Sequence, residues 1–103
     1  MSAYVITDVR VVDAGGTEEY RRLARDSIKK HGGRYLALSS AVESLEGDWS
    51  PEAIVILEFP DAATARTWYH SPEYAPALPL AKVCLARDMI LVDAARPTAA
   101  PTV

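Results

Sequence analysis

Residues 3 to 12, AYVITDVRVV, alternate with a period of two. Ala3, Val5, Thr7, Val9 and Val11 point one way, and Tyr4, Ile6, Asp8, Arg10 and Val12 the other. This predicts a strand with one apolar face for helices and a mixed face turned toward a partner or a cavity. The period then changes to that of a helix. Tyr20, Leu23, Ala24, Ser27, Ile28 and His31 share one face, while Arg21, Arg22, Arg25, Asp26, Lys29 and Lys30 take the other. Thr17 is the expected N-cap. Glu18 and Glu19 suit the positive end of the helix dipole and the late lysines its negative end. Gly32-Gly33 ends the helix.

Arg34 to Leu38 reads as a second strand, with a bend or bulge expected at Ser39-Ser40 and extended chain continuing through Glu46. Gly47-Asp48-Trp49-Ser50-Pro51 is a turn. Ala53 to Phe59 is a nearly unbroken apolar strand, as in a central strand buried on both sides. Asp61 caps a helix that holds Ala62, Ala65, Trp68 and Tyr69 at helical spacing, with Trp68 and Tyr69 expected in the core. Ser71 caps again, with Pro72 at the first helical position. Pro76 and Pro79 are expected to break or kink the short stretch that follows. Residues 86 to 93, ARDMILVD, form the fourth strand. Residues 1 to 94 read as a single domain, and residues 95 to 103 as a disordered Pro/Ala/Thr tail.

The order strand, helix, strand, strand, helix, strand is the ferredoxin-like βαββαβ arrangement, an α+β fold. Helices cover one face of a four-stranded antiparallel sheet. The other face, with Ile54, Ile56, Tyr4 and Ile6, is apolar enough to call for cover. A second copy of the chain would supply it and leave a cavity between sheets and helices.

At 103 residues the chain is one domain, and its many alanines bury little area each, which also favours a homodimer. The net charge of −3 comes without a basic stripe, so nucleic acid is not an expected partner. No apolar run approaches the roughly 20 residues of a membrane span. The N-terminus enters a strand pattern at once, without a signal-peptide pattern, so cytoplasmic residence is the expectation. The single cysteine, Cys84, reads as a small buried hydrophobe.

The motifs His31-Gly32-Gly33-Arg34-Tyr35, Leu45-Glu46-Gly47-Asp48-Trp49, Ile56-Leu57-Glu58-Phe59-Pro60 and Ala65-Arg66-Thr67-Trp68-Tyr69-His70-Ser71-Pro72-Glu73-Tyr74 occur in that order. Through them, over residues 3 to about 93, the chain resembles the DUF1330 proteins. These are a branch of the dimeric α/β-barrel group with ferredoxin-like subunits. The family commonly carries an arginine shortly after the Tyr74 position; here the region reads Pro79-Leu80-Ala81-Lys82. The family name records an unknown function. The resemblance implies a wider group of cofactor-free monooxygenases, isomerases, polyketide cyclases, decarboxylases and haem-handling enzymes, and a shared fold does not choose among them.

Candidate chemistry centres on Glu58, whose strand parity places it with Ile54 and Ile56. A carboxylate near an apolar cavity has its pKa raised and serves as general acid or base. The structural alternative is an ion pair with Arg34 or Arg87. His31, at a helix C-terminus, is a candidate proton shuttle or a packing residue. Arg34 would steady a carboxylate or enolate, or pair with Glu58 or Asp8. Tyr4, Asp8, Trp49, Ser71 and Tyr74 complete the candidate pocket, although N-capping accounts fully for Ser71. Phosphate-loop, zinc and dinucleotide fingerprints are missing, so no cofactor is expected; haem on His31 or His70 is the alternative. The leading reading is a cofactor-independent enzyme moving a proton on an apolar or aromatic carbonyl-bearing metabolite. The second is a non-catalytic ligand-binding or stress-related dimer.

Overall fold

A computed structural model describes residues 2 to 94; the expected tail over 95 to 103 lies outside them. The elements are β1 (Ala3–Val11), α1 (Thr17–Lys30), β2 (Arg34–Ser39), β3 (Ala53–Phe59), α2 (Ala62–Tyr69), α3 (Ala77–Cys84) and β4 (Leu85–Asp93). The strands form one antiparallel sheet in the order β2-β3-β1-β4. This is the expected ferredoxin-like order, with both middle strands taken from the most apolar stretches.

The parity of β1 follows the alternation. Ala3, Val5 and Thr7 are buried beneath the helices, and Tyr4, Ile6 and Asp8 are only partly covered on the open face. Across the sheet, Val5 faces Leu57 and Leu91, while Ile6 faces Ile56 and Ile90. The open face is therefore an isoleucine ladder. Ile90 and Val92 are exposed on it.

Several local expectations are corrected. The bulge in β2 falls between Tyr35 and Ala37, not at the serines, and leaves Leu36 unpaired and exposed. Residues 40 to 52 are irregular, not extended strand. Gly16, left-handed at φ 93°, is the N-cap of α1 in place of Thr17. Thr17 instead donates its hydroxyl back to the Ala14 carbonyl at 2.8 Å. Pro79 does not break α3. Pro76 is that helix's N-cap and Pro79 sits in its first turn, where an N–H would have no partner in the helix. Trp68 is buried but Tyr69 turns outward. Neighbours on a helix point about 100° apart, so one face cannot hold both.

Two caps are as expected. Asp61 accepts the Thr64 N–H at 2.7 Å. Ser71 accepts the Tyr74 N–H at 3.2 Å and opens a turn, not a full helix. The core gathers Val5, Ile28, Leu57, Phe59, Trp68 and Tyr74, closed by Ala24, Ala65 and Ala77. Helix α2 lies against β1, β3 and β4, whereas the backbone of α1 approaches α3 more closely than any strand. Helix α1 thus stands off the sheet, and that gap positions the site.

Candidate functional site

Between α1 and the sheet lies a cavity of about 710 Å³, within the size range of small-molecule sites. Its walls are Val9, Val55, Leu57, Ile28, Trp68 and Met89. Each comes from the helix-facing parity of its strand or the inward stripe of its helix. Arg21, Arg25, Ser40 and Glu52 also line the cavity, and all four are exposed. Glu52 is the one carboxylate among the lining residues.

Two polar side chains, Tyr20 and Arg87, line this apolar space from facing elements, and a third, Tyr74, stands behind them. The hydroxyls of Tyr20 on α1 and Tyr74 on the Ser71 turn are 2.8 Å apart. Arg87 on β4 donates from a terminal guanidinium nitrogen to the Tyr20 hydroxyl at 2.6 Å. Its Cζ lies 5.3 Å from the centroid of the Tyr20 ring, within cation–π range. Tyr74 is wholly buried, with its ring 4.4 Å from that of Trp68 between centroids. Burial, and then the neighbouring Tyr20, push the Tyr74 phenol well above its ordinary range. Burial likewise raises Tyr35, which lines the cavity from β2. Both phenols therefore stay protonated, as hydrogen-bond donors, through neutral pH.

The residues singled out from the sequence fall into three groups. Glu58, Arg34 and Tyr4 meet on the open face at one end of the sheet. Arg34 binds the Glu58 carboxylate through Nε and a terminal nitrogen, each at 2.7 Å. The Glu58 pKa is lowered, not raised as expected, because the Ser2 side chain and then Arg34 hydrogen-bond its charged form. Asp8 and Trp49 form a second pair on that face, the indole N–H donating to the carboxylate at 2.7 Å. His31, Ser71 and Tyr74 belong to the helix side. His31 Nε2 is 2.8 Å from a Glu73 carboxylate oxygen, tying the end of α1 to the Ser71 turn. The Ser71 hydroxyl donates to the Trp68 carbonyl at 2.7 Å.

None of these eight is among the cavity's lining residues; Tyr74 reaches them through its hydroxyl on Tyr20. Sequence reasoning missed Tyr20, Tyr35 and Arg87 as site residues. Arg87 had a legible signal: it is the charged member of the helix-facing series Leu85, Arg87, Met89, Leu91.

A smaller cavity of about 220 Å³ lies between α2 and β1 and β4, lined in part by Arg66, Tyr69 and His70. Among the described residues, no three side chains of the metal-binding types cluster as a metal site. Among the same residues, no helix is long and apolar enough to cross a membrane.

Comparison with solved structures places the fold among ferredoxin-like proteins. A protein of unknown function from Rhodopseudomonas palustris, RPA0582, superposes with a TM-score of 0.75 at 17% identity, over 93% of this chain and 84% of that one. SnoaB, a cofactor-independent oxygenase from Streptomyces nogalater, gives 0.66 at 15% identity, over 95% and 96% of the two chains. A dimeric ferredoxin-like protein of unknown function from Thermobifida fusca gives 0.54 at 14% identity, over 90% and 91%. No curated protein sequence matches significantly. The family described as domain of unknown function DUF1330 matches residues 2 to 95, nearly the whole chain, and the protein belongs to that family.

Proposed function

We propose that the protein is a small enzyme working without a resident cofactor on an apolar or aromatic, carbonyl-bearing metabolite, and that the substrate sits between α1 and the sheet. The observation that supports this most is the cavity itself: about 710 Å³ of mainly apolar space lined by Tyr20, whose hydroxyl is backed by that of Tyr74. A flat apolar molecule would stack against Trp68 and the Val55–Leu57 wall. Its carbonyl oxygen would take a hydrogen bond from Tyr20. Proton transfer at the adjacent carbon would follow from that polarisation. The proton would leave toward Glu52, the carboxylate among the lining residues. The cofactor-independent oxygenase SnoaB, on the same fold, is consistent with chemistry carried out without a cofactor.

The open face is proposed as the contact between two copies. Glu58 with Arg34 and Tyr4, and Asp8 with Trp49, would then be polar pairs around its isoleucines. A second reading, a non-catalytic ligand-binding dimer, is favoured by one observation: Glu58 and His31 both lie outside the lining of the cavity.

The test is native mass spectrometry and product analysis with the protein purified from its own host. The expected result is a co-purified small molecule whose retention falls in Val9→Phe, which narrows the cavity. Chemical change of that molecule on incubation supports the enzyme; binding without change supports the second reading. A ligand retained equally by Val9→Phe overturns the placement in this cavity.

A further inference from the structure

Arg87 is partly buried and faces the helices from the middle of an apolar series on β4. Elsewhere Arg22, Arg25 and Arg34 each have a carboxylate within ion-pair distance. Among the described residues, Arg10, Arg21, Arg66 and Arg87 have none, and of these four Arg87 alone is not exposed. Its neighbour Asp88 has the opposite parity and lies across from Asp8 on the open face. The Arg87 side chain is held instead by the Tyr20 ring and hydroxyl. A guanidinium carries five N–H donors, and the two neutral hydroxyls of Tyr20 and Tyr74 leave the rest for another partner. A charge withdrawn from water without a counter-ion is costly unless an anion completes it.

Arg87 is among the residues that line the cavity. We propose that Arg87 anchors an anionic oxygen of the bound molecule, a carboxylate or an ionised enol, so that the cavity selects flat apolar acids over their neutral isosteres. Tyr20 fixes the guanidinium, and the planar fork presents its remaining N–H groups to both lone-pair directions of the ligand oxygen. This rests on the proposed seating of the ligand between α1 and the sheet, and adds its charge.

The test uses two probes of equal shape, 2-naphthoate and 2-naphthamide, titrated calorimetrically into the intact protein and into Arg87→Met and Arg87→Lys. The expected result is at least tenfold tighter binding of the naphthoate by the unaltered protein. Arg87→Met abolishes that preference, lowering naphthoate affinity at least tenfold more than naphthamide affinity. Arg87→Lys retains part of the preference, because the charge stays and the fork is lost. Should Arg87→Met not fold, the preference of the unaltered protein and its reduction in Arg87→Lys carry the test.

Equal binding of the two probes by the unaltered protein overturns the anion role and leaves the cavity as a ligand site. So does a preference unchanged in the Arg87 variants. If neither probe binds, the anion role and the seating of the ligand in this cavity fall together.

Discussion

The Trp68 indole N–H donates to the Ser27 hydroxyl at 2.9 Å, and both side chains are almost fully buried. The same hydroxyl donates onward to the Ala24 carbonyl at 2.8 Å. One hydroxyl therefore joins α1 to α2 at the base of the cavity. Ser27→Ala leaves a buried indole donor without its acceptor, at a cost of about 1–3 kcal/mol. Equilibrium urea unfolding measures it. Trp68→Phe alone should cost less per polar group lost, and Ser27→Ala should cost little in a Trp68→Phe background. Additive costs would show that the hydroxyl acts on something other than the indole.

The two glycines after α1 do different work, and substitution separates them. Gly32 has φ 77°, and a Cβ there meets only Pro60 carbons at 3.8 Å and beyond. Its requirement is backbone conformation, so Gly32→Ala should cost about 1–2 kcal/mol. Gly32→Asn, which tolerates that region, should cost less. A Cβ on Gly33 would fall 2.6 Å from the Phe59 ring and 2.9 Å from Ile28. Its requirement is space, so Gly33→Ala should cost about 3 kcal/mol and Gly33→Asn more. Denaturation midpoints that ranked the asparagine variants the other way would reverse this assignment.

Acid sensitivity should come from three carboxylates: the cap Asp61, held low by its hydrogen bonds with Thr64, and two in ion pairs. Glu58 is held below its ordinary value of 4.5 by Ser2 and Arg34, and Glu73 by His31 and Lys30. In each case the folded chain binds fewer protons than the unfolded chain in this range, so stability rises with pH there. Their contribution is present above about pH 4.5 and is lost as pH falls through the lower folded values. Unfolding free energy measured between pH 6 and pH 3 should fall less steeply in Glu58→Gln/Glu73→Gln than in the unaltered protein. An unchanged slope would mean these pairs carry no linkage.

The isoleucine ladder should decide assembly. Ile56 pairs with Ala37 on one side and Ile6 on the other, on the open face. An aspartate there would be tolerated by a lone subunit and not by an apolar contact between two. Light scattering should give a dimer for the unaltered protein and a folded monomer for Ile56→Asp. A monomer in both cases would leave the open face without its proposed role.

Periodicity made the four strands, α1 and α2 legible, and with them the two faces of the sheet. Ser71 and Asp61 were legible as caps from the local chain, whereas at the start of α1 the left-handed Gly16 holds the cap position that Thr17 was expected to take. Helix α3 was obscured by Pro79, whose cost depends on which turn it occupies. The parity of Glu58 was correct, yet its environment was not. An apolar strand does not reveal on which side of the sheet space will open. That depends on how far α1 stands from the strands, which its packing on α3 sets. Arg87 could have been noticed among Leu85, Met89 and Leu91. Its hydroxyl partner could not, since Tyr20 reads equally well as ordinary core on an amphipathic helix.

Tyr20 contacts residues 54 and 67 positions further along the chain. Bringing such distant segments together is paid in loop-closure entropy, so these contacts belong to the completed fold and not to any local fragment. The polar end of the cavity therefore has no counterpart in the unfolded chain. A molecule bound there would stabilise only the native state, by RT ln(1 + [L]/Kd). For this protein, a rise in melting temperature would serve as a direct reporter of site occupancy, usable for screening compounds before any reaction is known.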